Sequence, residues 1–210
     1  MTRLHPSIIV GLLLVGAGLA GCNGSGTPGT ATPAPASTSA EPDGAASEVP
    51  KVQNPLPAKV LEGNPCDVAL TPNDVKSFIG TPDPAKPGEN VLGPKCDWDN
   101  AAGSGAGITV FFHTKDNGGL ALTYKNIKPK AARWVDNLQP VQGYPIVGYL
   151  APGDNPGVRD NCHLDVGISD TLTYSVDLQL GDSARNKGID ACEGGRDVAD
   201  RVMTNIKGRA

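Results

Sequence analysis

Two neighbouring segments near the C-terminus alternate apolar and polar residues. The first, "CHLDVGIS", begins at Cys162, and the second, "TLTYSVDLQL", ends at Leu180, so the alternation runs on both sides of Asp170 and Thr171. In a β-strand successive side chains point to opposite faces, so a period of two places every apolar residue on one face. The alternation therefore predicts a β-hairpin with one apolar and one polar face.

Three further segments read as strands. "CDW" at residues 96–98 and "GITVFFH" at residues 107–113 flank the glycine-rich stretch "AAGSGAG". "VQGYPIVGYLA" is rich in β-branched and aromatic residues but is interrupted by Pro145. These patterns predict two strands joined by a turn and a later strand broken at the proline.

Helical spacing appears in three places. Thr71, followed by a proline and by Asp74 three residues on, is a helix start, and Gly80 ends that helix. The run "GGLALTYKNI" predicts a second helix, which we expect to continue as far as Trp134. The last helix begins at Asp190 and carries an apolar stripe of Val198, Val202 and Ile206.

These elements occur in the order α-β-β-α-β-β-β-α. The order predicts an α+β fold in which an antiparallel sheet packs against helices. We place this single domain at residues 63–210, which is long enough to enclose a hydrophobic core.

The N-terminal segment has a different character. An apolar run at residues 7–20 follows Arg3 and ends in Leu19-Ala20-Gly21-Cys22. The run fits the apolar core of a secretory signal and is too short for a membrane-spanning helix. Its end looks like a bacterial lipobox, which predicts a signal peptide at residues 1–21 and lipidation of Cys22. An ordinary secretory signal with a cysteine placed there by chance is the alternative.

Residues 22–62 are dominated by Gly, Pro, Ala, Ser and Thr and contain no aromatic residue. Such a segment buries too little apolar surface to offset the entropy of ordering it. We interpret it as a disordered tether that begins at the lipidated Cys22. A Pro-rich ligand for a partner domain is the rival interpretation, but a P-x-x-P core with basic flanks is missing. The lipid would hold the domain at the outer face of the cytoplasmic membrane.

Four cysteines follow Cys22, at positions 66, 96, 162 and 192. An even number in an exported domain indicates two disulfides, for which three pairings exist. We favour Cys66–Cys96 and Cys162–Cys192, because each pair joins the start of a helix to the start of a strand. The closely spaced pairs typical of zinc sites do not occur, so we expect no metal and no cofactor.

The charge of the chain narrows the range of partners. The formal net charge is −4 at pH 7. This mild acidity argues against nucleic acid as a partner and against a polybasic grip on anionic lipid. The membrane, reached through the lipid on Cys22, and an envelope ligand or protein partner are the partners that we expect.

Several side chains are candidates for chemistry. Asp97 and Asp99 flank Trp98, so on a strand the two acids share one face and the indole points to the other. The acids could bind calcium or act as an acid and a base, but solvent-facing charges opposite a core tryptophan are the simpler explanation. His163 fits a histidine with a local hydrogen bond at a strand start better than a catalytic base. Ser183, in "GDSAR", fits a turn better than a nucleophile.

Aromatic residues suggest where a ligand would bind. Phe111 and Phe112 are adjacent and must point to opposite faces of their strand. We predict a ligand pocket formed by Phe112, Tyr144 and Tyr149; a second packed layer of the core is the alternative.

Four motifs together resemble a family of actinobacterial lipoproteins that contain a domain of unknown function. The motifs are "NPCDVALTPNDV" from Asn64, "CDW", "CHLDVGISD" and the closing "IDACEGGRDVADRV". Gly194 and Gly195 depart from the helix-forming residues expected at the start of the last helix. The general plan is also similar to the extracytoplasmic sensor domains of mycobacterial receptor kinases. The resemblance implies an exported, disulfide-bonded α+β domain and brings no catalytic residue.

Two hypotheses on function follow. The first is a non-catalytic, membrane-tethered module that binds or senses a cell-envelope ligand or a protein partner. It rests on the tether and on the lack of a nucleophile–base set, a metal cluster or a phosphate-binding loop. The alternative is an envelope-acting hydrolase or transferase that uses the acidic pair Asp97 and Asp99.

Overall fold

A seven-stranded antiparallel sheet forms the centre of the computed structural model, which describes residues 48–210. The strands are β1 (Lys86–Glu89), β2 (Pro94–Asp99), β3 (Gly107–Phe112), β4 (Arg133–Val135), β5 (Ile146–Leu150), β6 (Asn161–Gly167) and β7 (Thr173–Gln179). The helices are α1 (Pro65–Val68), α2 (Pro72–Ile79), α3 (Gly119–Asn126), α4 (Asp182–Asn186) and α5 (Ala191–Lys207). Within these residues no helix has the length and apolar character needed to cross a bilayer.

The strand order is β1-β2-β3-β7-β6-β5-β4, with every neighbouring pair antiparallel. The predicted hairpin is β6–β7, and its strands pair from Asn161 opposite Gln179 to Gly167 opposite Thr173. The predicted α+β class, with helices packed on an antiparallel sheet, is confirmed. Cys22 and the predicted signal peptide lie outside the described residues.

One face of the sheet, here called the covered face, packs against α5. It carries the buried apolar residues of the central strands, among them Val110, Phe112, Leu164 and Val176. The apolar stripe of α5 faces them, and its residues Val198, Val202 and Ile206 are fully buried. The Tyr174 hydroxyl donates a 2.8 Å hydrogen bond to the carbonyl of Ala199, which satisfies a polar group inside this core.

Both disulfides attach helices to this covered face. Cys66 of α1 is bonded to Cys96 of β2, and Cys162 of β6 is bonded to Cys192 in the first turn of α5. The pairing favoured from the sequence is thus confirmed. Asp190 caps α5 by accepting a hydrogen bond from the Cys192 amide, so the cap and the cross-link hold the same turn.

The first two predicted helices have different outcomes. α2 is confirmed, and its Thr71 and Asp74 form a reciprocal capping box. The helix that starts at Gly119 was predicted to reach Trp134, which is wrong, because it ends at Asn126. Trp134 lies in β4, where pairing with β5 provides backbone partners that the local helical pattern could not reveal.

The described part of the fold begins before residue 63. Residues 48–56, here called the strap, run across one end of the sheet and lead into a 3-10 turn at Ala58–Leu61. Leu61 is buried, the Leu56 amide donates to the Ile168 carbonyl, and the Tyr144 hydroxyl donates to the Asn54 carbonyl. The boundary predicted at residues 62 and 63 is therefore placed too late, because a few apolar residues at the end of the polar tract are enough to dock it.

Candidate functional site

The second face of the sheet, here called the open face, carries one continuous row of polar and aromatic side chains. From β4 to β1 each residue is the cross-strand partner of the next. The row consists of Trp134, Tyr149, His163, Asp177, Thr109, Asp97 and Lys86. Directly opposed residues on one sheet face lie close enough to interact, so this row forms one surface.

A groove of about 330 Å³ lies over the central and β1-side part of this row. The five residues of this row on β1, β2, β3, β7 and β6 line the groove. Asp99, Asn161 and Gln179, each two residues from a row residue on the same strand face, line it as well. The other half of the open face is covered by α3, where Gly167 of β6 lies against Leu120. The groove is thus the part of the open face that α3 leaves uncovered.

Each acid that lines the groove is paired with a base. Asp177 lies 2.7 Å from His163 Nδ1, Asp97 lies 2.8 Å from Lys95 Nζ, and Asp99 lies 2.9 Å from Lys86 Nζ. The hydrogen bond to Asp177 raises the pKa of His163, since it favours the charged imidazolium, while burial opposes the rise.

The hydroxyl of Thr109 adds a further bond between strands. It donates to Asp97 over 2.7 Å, so Asp97 is held by both its lysine and its opposite neighbour. Polar groups in the groove are therefore pre-positioned, and their charges are mutually compensated.

An aromatic stack continues the row beyond the groove. The rings of Tyr149 and His163 are 5.4 Å apart and nearly parallel, and those of Trp134 and Tyr149 are 6.2 Å apart. Tyr124 of α3 meets Trp134 edge-on, and the Lys128 ammonium lies 5.7 Å from the Trp134 ring centre. Burial raises the pKa of Tyr149, which keeps its phenol neutral.

Under α3 the open face holds a buried hydrogen-bond chain. The Ser175 hydroxyl donates to Asp165 over 2.5 Å and lies 2.7 Å from His113 Nε2. Thr123 of α3 donates to the same Asp165 over 2.6 Å, and His113 Nδ1 lies 3.4 Å from Asp116.

The contacts from Ser175 to His113 and from His113 to Asp116 join the same three residue types as a serine hydrolase triad. Ser175, however, is only 5% exposed. Its hydroxyl proton is directed to Asp165, and α3 covers the strand above it. This geometry serves to dock α3 on the sheet, because a nucleophile needs an approach path for its substrate.

The three aromatic residues of the predicted pocket do not come together. Phe112 is fully buried in the core of the covered face. Tyr144 belongs to the same core and holds the strap, whereas Tyr149 lies on the open face. Phe112, rather than Phe111, faces the core because the strand alternation places it opposite Tyr174.

The other predicted candidates have clear positions. Asp97 and Asp99 share the open face, opposite the buried Trp98, as the alternation predicts. His163 also lines the groove and has the local hydrogen bond expected for it. Ser183 is exposed in the short helix α4, away from these groups.

A larger concavity of about 530 Å³ beside α5 contains three arginines. Arg133 and Arg159 both donate to Asp190, while Arg196 pairs with Asp197. Burial alone would raise the pKa of Asp190, but the hydrogen bonds from Arg133, from the Cys192 amide and from Arg159 lower it. All three guanidinium groups are thus engaged within the domain, and those of Arg133 and Arg159 stabilise the start of α5.

The sequence analysis did not predict three of the groove residues, which are Thr109, Asn161 and Gln179. The alternation could have identified them, because they are at the polar positions of strands in which every second residue is apolar. Among residues 48–210, no group of three or more His, Cys, Asp or Glu side chains is arranged to hold a metal ion.

Comparison with known proteins gives one match. The model of a family described as "Protein of unknown function (DUF3558)" matches residues 17–205. No curated protein and no solved structure matches the chain. The match agrees with the family of unknown function expected from the motifs, and it carries nothing on actinobacterial origin, a lipidated start or receptor kinases.

Proposed function

The chain belongs to the DUF3558 family of proteins of unknown function, and we propose that it is a membrane-tethered, extracytoplasmic binding module. In this proposal the groove on the open face takes a cell-envelope ligand or part of a protein partner. The two disulfides indicate an oxidising location, since such bonds are rare in proteins of the reducing cytosol.

The observation that carries the proposal is the uncovered half of the open face. The side chains at the centre of the groove are partly buried: His163 and Asp177 are each 30% exposed, and Asp97 is 28% exposed. Holding charged groups in a concave surface requires each to be paired, and every pair is present. Concave sites with a few convergent polar groups are where small ligands bind.

The membrane part of the proposal rests on the sequence around Cys22. A lipid on this cysteine and the Pro-rich tether would leave the domain free to meet ligands near the membrane. The test is cell fractionation of the full chain and of Cys22→Ser in an actinobacterial host, with intact-mass measurement of the membrane-bound form. A mass equal to the unlipidated chain, or a Cys22→Ser variant still fixed to membranes, would refute lipid anchoring.

Hydrogen–deuterium exchange tests the binding part. The full chain is compared with and without a soluble cell-envelope extract from the same host. We expect slower exchange in β6 and β7 beside the groove, and we expect His163→Ala to abolish that change. Lys76→Ala is the matched control, because Lys76 is exposed on α2. Protection confined to other parts of the domain would contradict the proposed site.

We propose a non-catalytic role for the groove. The acid pair Asp97 and Asp99 lies in it, so an envelope-acting hydrolase or transferase is the competing function. Both acids are ion-paired with lysines in the described structure, and this pairing supports a binding role for the groove. Turnover of envelope material that is lost in the Asp97→Asn/Asp99→Asn variant would favour the competing function.

A further inference from the structure

The chemistry of the groove defines its ligand more closely. Resting on the proposed function, we infer that the groove binds a neutral saccharide. Three features carry this inference: compensated charges, uncharged hydrogen-bonding groups, and a flat ring at the groove wall.

The charges favour an uncharged ligand. Asp97, Asp99 and Asp177 each have a cationic or imidazole partner within 2.9 Å. A charged ligand would have to compete with the partners of Asp97 and Asp177, and breaking either of these partly buried pairs leaves the other charge uncompensated. A neutral polar ligand can use the remaining acceptor positions of the carboxylates without displacing a base.

The uncharged groups match hydroxyls. Thr109, Asn161 and Gln179 line the same groove and offer hydroxyl and amide groups. The Asn161 Oδ1 atom is buried and has no hydrogen-bond partner within the described residues. Sugar hydroxyls both donate and accept, so they fit a surface that mixes carboxylate acceptors with amide donors and acceptors.

The groove also offers a flat surface. The His163 ring lines the groove and stacks on Tyr149, and this stack fixes its orientation. A pyranose ring has an apolar face of C–H groups and a rim of hydroxyls. Such a face packs on a ring, while the rim meets the polar side chains. The volume of about 330 Å³ is at the lower end for ligand sites, so it suits a short saccharide segment.

The test titrates the full chain, kept in a sugar-free zwitterionic detergent, with maltose, cellobiose and N,N′-diacetylchitobiose by calorimetry. We expect saturable binding of at least one probe with a Kd of about 1 mM or tighter. Asn161→Ala and Gln179→Ala remove neutral contacts without breaking an ion pair. Each should weaken binding about tenfold, which corresponds to about 1.4 kcal/mol.

Asn73→Ala is the matched control for these variants, since Asn73 is exposed on α2. We expect it to bind like the wild type. If Asn161→Ala unfolds, Gln179→Ala at the end of β7 still tests the groove. Failure of all three probes, or binding that neither groove variant weakens, overturns the inference.

Two further arms separate the sources of the saccharide and the two proposals. Binding to insoluble cell wall that the soluble probe displaces indicates an envelope polysaccharide, whereas binding of the soluble probe alone indicates a free sugar. If the envelope extract slows hydrogen exchange at the groove but none of the probes binds, the saccharide inference is refuted and the proposed binding function is supported. If neither the extract nor any probe binds the groove, the saccharide inference and the proposed binding function are both refuted.

Discussion

Replacing Gly195 with alanine should destabilise the domain, even though alanine is the better helix former. Gly195 lies in the first turns of α5, where the helix meets the covered face. A Cβ atom at this position would lie closer than 3.0 Å to the Cδ1 atom of Leu164. Leu164 is fully buried, so neighbouring side chains oppose its displacement.

Two opposing effects give the magnitude. Alanine gains about 1 kcal/mol over glycine inside a helix. Forcing an extra carbon into a packed core costs about 1–3 kcal/mol. Because the close atom belongs to a side chain without free space, we expect the cost to win, with a net loss of about 1 kcal/mol in the free energy of unfolding.

Gly194 provides the matched control on the preceding residue. Its Cβ atom would lie 3.2 Å from Leu178 Cδ2, a contact that a small shift relieves. Gly194→Ala should therefore leave the free energy of unfolding unchanged or raise it by up to about 1 kcal/mol.

Urea unfolding with both disulfides intact measures the difference. The cost of Gly195→Ala should also shrink in a Leu164→Ala background, because the second change removes the clashing atoms. A Gly195→Ala variant as stable as Gly194→Ala, or a cost unchanged by Leu164→Ala, would refute the argument that close packing of α5 requires this glycine.

Three other predictions concern the strap, the groove and a cross-link. Tyr144→Phe removes the hydroxyl that holds the strap, so hydrogen exchange there should quicken and unfolding should become easier by about 0.5–1.5 kcal/mol. The raised pKa of His163 means that its pairing with Asp177 stabilises the fold fully below pH 6.5, the unfolded pKa, and that this contribution is lost as pH rises through the folded pKa. NMR titration of His163 should therefore show a pKa that falls in Asp177→Asn; an unchanged pKa would contradict the pairing. Replacing Cys162 and Cys192 with serine opens a loop of 30 residues and should cost about 3.6 kcal/mol in urea unfolding, whereas a cost near zero would refute the chain-entropy argument.

Local chemistry explains why the sequence predicted much of the covered face. Capping residues such as Thr71 and Asp190 act within one turn, and the alternation of β6 and β7 depends only on neighbouring residues. Even the disulfide pairing followed from where helices and strands begin. The same alternation correctly placed Asp97 and Asp99 on one face.

Trp134 shows where local reasoning ends. Its neighbours have helical spacing, yet β5 offers it a strand partner, and Tyr149 offers it a ring to stack on. The predicted pocket failed for a related reason. Phe112 and Tyr149 each alternate correctly along their own strands, but the sheet puts them on opposite faces.

The groove exists only through long-range pairing. Thr109 and Asp177 become neighbours because β3 pairs with β7, and His163 joins them because β6 pairs with β7. Residue spacing along the chain specifies which side chains share a strand face, and so the polar phase of each strand could be read directly. Which strands lie side by side, and which half of that face α3 covers, depends on burying apolar surface across the whole domain, so only the folded chain assembles this row into one site.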